Sequence, residues 1–138
     1  MYADPSIPGI PAVTGSLGHG LGIACGYALA AKMDGRDERT YVILGDGECY
    51  EGSVWESALF AAYSKLGNIH VIVDANDKMI LKDTHDIFPL TQKFDAFEFE
   101  SVLIDGHDTK KLSFWLDQQY ESPRATICST IKGKGISF

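Results

Sequence analysis

Residues 41–48 read YVILGDGE, and this stretch decides the fold. Four apolar residues stop at a Gly-Asp-Gly turn, which is typical of a buried strand that ends in a loop. Residues 69–73 (IHVIV) repeat the pattern and are followed by the loop DAND at 74–77, and further apolar runs occupy 101–104 and 125–131. Helical segments lie between these runs. The sequence therefore predicts an α/β fold, with a parallel sheet sandwiched by helices.

Composition and capping residues predict the helices. Thr14 or Ser16 is expected to cap a helix over Leu21–Met33, whose shortage of polar residues predicts a buried helix. Apolar periodicity predicts three further helices, at 53–67, 90–97 and 109–120.

Length and charge limit the classes of function. The 138 residues suit a single domain spanning 1–138, and twelve Lys and Arg against nineteen Asp and Glu give a net charge of −7. Such an acidic chain is a poor nucleic-acid binder, and no apolar run is long enough to suggest a membrane partner. No signal-peptide pattern begins the sequence. Three cysteines without a CxxC spacing argue against disulfides or zinc and favour a reducing, cytoplasmic location.

Two loops that follow strands and one that opens a helix carry the chemistry. Asp46 and Asn76 follow neighbouring strands and offer oxygen ligands, which suit Mg²⁺ or Ca²⁺ shared with a substrate phosphate. Glycines around Asp46 let backbone N–H groups face a ligand. The glycine-rich turn at 15–20 opens a helix, and such helix starts favour anions. Together these loops predict a metal–diphosphate site that needs no basic side chain.

These motifs resemble those of the transketolase family. The segment from Gly45-Asp46-Gly47 to Asn76 resembles the thiamine diphosphate motif, which begins GDG and ends about thirty residues later in an Asn-containing turn. TGSLGHG (14–20), GDGECYEGSVWE (45–56), IDGHD (104–108) and STIKGKGISF (129–138) are also similar to transketolase segments. The resemblance covers nearly the whole chain, and it is best to the amino-terminal subunit of split transketolases.

The resemblance implies which residues would hold thiamine diphosphate and its metal. It places the metal, Mg²⁺ or Ca²⁺, on Asp46, Asn76 and the backbone carbonyl of Lys78. It implies that the cofactor-binding residues are Asp46, Asn76, Gly15, Ser16, Leu17, Gly47 and Glu48, with backbone contacts to the diphosphate at the last two.

The resemblance also implies an incomplete site. Glu51 and Glu56 would lie at an interface between two cofactor sites as a proton relay, and Trp55 beside them is expected to be an interface residue because it would otherwise be exposed. His19 stands where the family has Gln and is a candidate ligand contact. The family's pocket-lining histidines and the glutamate that activates the aminopyrimidine are not in this sequence, so no catalytic residue is assigned with certainty in this chain.

The implied function is the transfer of a two-carbon ketol unit between sugar phosphates. It requires a partner chain with the pyrimidine-binding domain, in a homo-oligomer or a hetero-oligomer with a carboxy-terminal transketolase subunit. The first alternative is a component of a 2-oxo acid dehydrogenase or decarboxylase. The second is a non-catalytic cofactor-binding module. His70 is expected to be structural, His85 is a candidate for approaching substrate, and the three cysteines are expected to be buried and inert.

Overall fold

Parallel strands and helices alternate along the chain. The computed structural model describes residues 6–77, 89–118 and 121–137. The strands are β1 (Thr40–Gly45), β2 (Ile69–Ala75), β3 (Glu100–Asp105) and β4 (Arg124–Ser129). The helices are α1 (His19–Met33), α2 (Gly52–Tyr63), α3 (Leu90–Ala96) and α4 (Thr109–Asp117), and a 3₁₀ turn covers Gly47–Tyr50. The strands form one sheet in the order β1-β2-β4-β3 with all neighbours parallel, so the predicted fold class is confirmed.

The strand register places the strand ends at one edge of the sheet. Gly45 of β1 pairs with Asp74 of β2, and Asp74 pairs with Cys128 of β4. Asp105 at the end of β3 pairs with Ser129. The loops after β1 and β2 therefore leave the sheet side by side, at the carboxyl edge where open α/β sheets bind their ligands.

The core lies between one face of the sheet and helices α1, α2 and α3. Alternate strand residues point into it because the side-chain period of a strand is two. Buried members of this core include Leu21, Leu44, Val54, Val71, Val73, Phe94 and Ile127. Each large apolar side chain buried in this way contributes about 1.5–3 kcal/mol to the free energy of unfolding.

Helix α4 covers part of the opposite face, and polar donors hold its carboxyl end. Arg39 and the Tyr41 hydroxyl each donate to the carbonyl of Leu116, at 3.1 Å. Arg124 donates to the carbonyl of Trp115 at 2.7 Å, and its guanidinium lies 4.7 Å from the centre of that ring. Donors at the carboxyl end of a helix satisfy its last carbonyls, and positively charged donors such as Arg also interact favourably with the helix dipole.

The outer strands of the sheet carry exposed apolar side chains. In the part of the chain that the structure describes, β1 and β3 each pair on one side only. Ile43 on β1 is 73% exposed, and Leu103 on β3 is 61% exposed.

Helix α1 differs from the prediction in its cap, and it is buried on one side only. Its N-cap is Gly18, with a φ of 81°, and neither Thr14 nor Ser16 caps it. The Thr14 hydroxyl instead accepts from the backbone N–H of Ser16, at 3.0 Å, within the preceding turn. Ile23 and Tyr27 are exposed on its other side, so within this chain the predicted burial holds for one side of the helix only.

Helix α2 ends at Tyr63, before the predicted Gly67. Lys65 adopts a φ of 49°, which a helix cannot continue through. Lys32 of α1 donates to the carbonyls of Ser64 and Lys65, at 2.8 Å each. This contact from α1 satisfies the end of α2 and ties the two helices together. None of the helices in the described ranges is both long and apolar enough to cross a membrane.

His70 lies buried on β2, and its surroundings disfavour the charged form of its ring. One of its ring nitrogens is 2.7 Å from the Thr126 hydroxyl. Burial lowers the pKa of His70 to about 4, and the positive charges of Arg124 and Arg39 act in the same direction. The side chain is therefore neutral in the folded protein at neutral pH, as its structural role requires.

We predict that the fold loses stability as the pH falls from about 6.5 towards 4. In this window the unfolded chain binds a proton on His70 and the folded chain does not, so acid favours unfolding. Urea denaturation across this range should give a shallower pH slope for His70→Gln than for the parent. His19→Gln, which changes an exposed histidine, should keep the parent slope. Equal slopes for His70→Gln and the parent would contradict the assignment.

Candidate functional site

The Asp46 carboxylate connects the loops after β1 and β2. It is buried, with 1% of the residue exposed. One oxygen accepts from the Gly47 N–H at 2.8 Å, and the other accepts from the Asp77 N–H at 2.7 Å. The Asp46 N–H donates to the carbonyl of Asp74 at 3.1 Å. The structure thus brings Asp46 against the turn that contains Asn76.

The second predicted metal ligand lies in that turn. Asn76 is half-buried, and its amide nitrogen donates to the Asp74 carboxylate at 3.1 Å. Lys78, whose carbonyl is the implied third ligand, falls outside the described residues. The described ranges contain no group of three or more His, Cys, Asp or Glu side chains placed to hold a metal ion. One carboxylate and one amide fit Mg²⁺, which is held by few protein oxygens and takes water and phosphate for the rest.

The Glu48 side chain joins the two glycine-rich loops. One carboxylate oxygen accepts from the Gly18 N–H at 2.8 Å, and the other accepts from the Gly45 N–H at 3.3 Å. Ser53 strengthens the same junction by donating to the Gly18 carbonyl at 3.0 Å. The sequence predicts only a backbone contact for Glu48. Its side-chain role depends on a contact across thirty residues that no local pattern signals.

The residues implied to touch the cofactor rings lie on the surface. Gly15, Ser16 and Leu17 are exposed, and Leu17 is 55% exposed. The His19 ring follows them, with its Nδ1 3.1 Å from the Leu17 carbonyl. This loop therefore presents backbone and an apolar side chain beside the Asp46 loop, to which Glu48 fixes it.

Trp55 and the two glutamates near it in the sequence have different surroundings. Glu51 and Glu56 are exposed, as an interface role requires. Trp55 donates from its indole nitrogen to the Cys49 carbonyl at 2.9 Å. Its ring centre lies 5.2 Å from that of Phe94 and 5.7 Å from that of Phe97. The reason for expecting Trp55 at an interface is therefore wrong, because the ring packs against its own chain and is not left fully exposed.

The three cysteines are buried and free, as predicted. Burial raises the pKa of Cys25 to about 11. It raises the pKa of Cys49 to about 12, with smaller contributions from the charges of Glu48 and Asp46. These two thiols are protonated at neutral pH, and a protonated thiol is a poor nucleophile.

Comparison with known proteins identifies the family. Residues 4–137 match the family model described as "Transketolase, thiamine diphosphate binding domain". The chain belongs to the transketolase family. It is 43% identical over 136 residues to one subunit of the apulose-4-phosphate transketolase of Actinobacillus succinogenes, covering 95% of this chain and 49% of that protein. It is 38% identical over 136 residues to the 6-deoxy-6-sulfo-D-fructose transketolase subunit SqwG of Clostridium sp. (strain MSTE9), covering 94% and 50%.

A solved transketolase has the same fold. The crystal structure of the Campylobacter jejuni enzyme superposes with a TM-score of 0.84 at 34% identity, over 92% of this chain and 22% of that one. The chain thus spans about half the length of the two subunit relatives and about a fifth of the Campylobacter enzyme.

The junction at Gly18 gives a stability prediction. A Cβ at this position would lie 2.3 Å from the Ser53 Oγ and 2.7 Å from the Glu51 Cβ, and the φ of 81° disfavours any L side chain. We predict that Gly18→Ala lowers the free energy of unfolding by about 2 kcal/mol or more, measured by urea denaturation. Gly52→Ala, where a Cβ meets nothing within 4 Å, is the control and should stay within about 1 kcal/mol of the parent. Equal stability of the two variants would show that the junction is loose.

Proposed function

We propose that this chain forms the metal- and diphosphate-binding half of a transketolase. In this proposal, Asp46, Asn76 and the carbonyl of Lys78 hold Mg²⁺, and the metal holds the diphosphate of thiamine diphosphate. Gly47 and Glu48 contact the diphosphate through their backbone, and Gly15, Ser16 and Leu17 contact the rings. The reaction is the transfer of a two-carbon ketol unit between sugar phosphates.

One observation carries this proposal. The buried Asp46 carboxylate accepts an N–H from the residue that follows Asn76, so two loops thirty residues apart are fixed together at the carboxyl edge of the sheet. A buried carboxylate is costly unless its charge is compensated, and two N–H donors together with a divalent cation would supply that compensation. The net charge of −7 adds a reason for metal dependence, because an acidic chain repels a diphosphate that binds without a cation.

The cofactor supplies the electron sink that makes cleavage of a carbon–carbon bond possible. The residues of this chain bind and orient it. The Glu48 carboxylate joins the two loops, and the exposed backbone at 15–17 is accessible for contact with the cofactor rings. None of the described side chains at this edge is assigned an acid–base role. In this proposal, groups outside the described residues, including those of a partner subunit, complete the catalytic site.

The relatives support a composite enzyme. Two of them are named as subunits of transketolases, and they match this chain along nearly its whole length. We infer that a second chain brings the pyrimidine-binding domain. The relatives named above are all transketolases, which favours this reaction over that of a 2-oxo acid dehydrogenase or decarboxylase.

Calorimetric titration of thiamine diphosphate into the full-length protein with its partner subunit tests the metal site. We predict that thiamine diphosphate binds only when Mg²⁺ is present. Asp46→Ala and the isosteric Asp46→Asn should each weaken Mg²⁺-dependent binding more than about 100-fold, since even residues outside the ligand set cost 10- to 100-fold in metal affinity.

The control is Asp37→Ala, which removes an exposed carboxylate from the turn between α1 and β1. This variant should bind the cofactor like the parent, and circular dichroism should show all of the variants folded. Unchanged affinity in a folded Asp46→Asn protein would contradict the metal assignment. Cofactor binding by the parent without a divalent ion would contradict the role of the metal.

We also propose that the outer faces of α1 and α2 form the subunit interface. Leu59 and Tyr63 are 60% and 87% exposed and lie one turn apart on α2. A groove of about 370 Å³ runs between the helices, lined by Glu56 and Phe60 of α2 and by residues of α1. Exposed apolar patches with a polar rim are typical of protein interfaces. Glu51 and Glu56 would then reach the partner's cofactor site, as a proton relay requires.

We predict that Leu59→Asp weakens the association between subunits at least tenfold, because the new carboxylate would be buried in an apolar contact. Sedimentation velocity over a concentration series measures this change. Phe114→Asp is the control, since Phe114 is 61% exposed on α4 at the opposite face of the sheet. If only Phe114→Asp lost association, the interface would have to lie on the face of the sheet that carries α4.

A further inference from the structure

Three polar side chains form a chain of hydrogen bonds beside the proposed metal ligands. The amide nitrogen of Asn76 donates to one oxygen of the Asp74 carboxylate, at 3.1 Å. The hydroxyl of Thr130 donates to the other oxygen of the same carboxylate. The sequence motif contains Asn76, but neither Asp74 nor Thr130 is assigned any role by it.

The chemistry of Asp74 decides the orientation of the Asn76 amide. An ionised carboxylate can only accept hydrogen bonds, so the amide must turn its NH₂ group towards Asp74. Its oxygen is then on the other side of the planar amide. A cation can bind the oxygen of an amide but is repelled by its NH₂ group, and a flipped amide would therefore offer no ligand.

We infer that Asp74 and Thr130 are positioning residues, which hold the Asn76 amide in the orientation that a metal ligand needs. This inference rests on the proposed metal site at Asp46 and Asn76. Thr130 holds Asp74, Asp74 holds the amide, and neither is itself a ligand. Residues outside a metal's own ligands commonly fix those ligands in this way.

The backbone fixes Thr130 where the chain of hydrogen bonds needs it. Its N–H donates to the carbonyl of Ala75 at 3.0 Å, which continues the pairing of β4 with β2 by one residue. On the other side, the Gly106 N–H donates to the Ser129 carbonyl at 2.8 Å. The Ile131 N–H donates to Nε2 of His107 at 3.0 Å. The segment after β4 is thus held from both neighbouring strands.

Gly106 provides the space that Thr130 occupies. A Cβ at Gly106 would lie 2.5 Å from the Thr130 Cγ2 and 2.9 Å from the Cys128 Cβ. The glycine and histidine of the IDGHD motif therefore both act on the segment that presents Thr130. The residues after β3 thus help to fix the turn that contains Asn76, although β4 lies between β3 and β2 in the sheet.

The test is the affinity for Mg²⁺, titrated calorimetrically into the full-length protein with its partner subunit in the presence of thiamine diphosphate. We predict that Thr130→Val, which keeps the shape and removes the donor, weakens Mg²⁺ binding about tenfold. Thr130→Ser restores the hydroxyl and should bind within about twofold of the parent. Equal affinity of Thr130→Val and the parent would overturn the inference, and so would a loss in Thr130→Ser as large as that in Thr130→Val.

A second pair of variants separates positioning from simple attraction between charges. Asp74→Asn removes the negative charge but keeps an oxygen that can accept from Asn76, whereas Asp74→Ala removes both. Positioning predicts that Asp74→Asn binds Mg²⁺ at least threefold more tightly than Asp74→Ala. Equal losses in the two would overturn it, and this pair decides the matter should Thr130→Val not fold. Failure of the parent itself to bind Mg²⁺ would instead overturn the proposed function.

Discussion

The hydrogen bond from the Asp77 N–H to the buried Asp46 carboxylate is the contact on which the site depends. It joins two loops that lie about thirty residues apart in the sequence. The parallel register of β1 and β2 makes this contact possible, because it sets Gly45 opposite Asp74. The register is fixed in turn by the apolar core, since a shift of one residue would move every buried strand side chain to the other face. Packing on one side of the sheet thus determines geometry at its carboxyl edge.

Glu48 and Thr130 connect these two loops to other parts of the fold. The Glu48 carboxylate binds the loop before α1 by accepting from the Gly18 N–H. The Thr130 hydroxyl links Asp74 to the segment after β4, and Gly106 and His107 link that segment to β3. The loops of the proposed site therefore share a single scaffold, although each comes from a different part of the sequence. This shared support is what a site needs when its ligands must keep a set geometry.

Much of this arrangement could be predicted from the sequence. The apolar runs indicated the strands, and the residues directly after them indicated Asp46 and Asn76, because parallel strands end at a common edge. The cap of α1 could not be predicted in this way, since the Thr14 hydroxyl bonds within its own turn rather than capping the helix. The packing of Trp55 could not be predicted either, because periodicity cannot show that the rings of Phe94 in α3 and Phe97 after it lie against the indole. The contacts of Asp74 and Thr130 join side chains from distant parts of the chain, which no local pattern signals.

The sheet has one more physical consequence, which follows from its outer strands. In the described ranges, β1 and β3 each pair on one side only, and Ile43 and Leu103 on these strands keep most of their surface exposed. Backbone N–H and C=O groups on an open apolar edge are a template on which another chain can add a strand. An uncovered edge of this kind favours self-association by strand addition, and a chain or segment that pairs with β1 or β3 would remove that template.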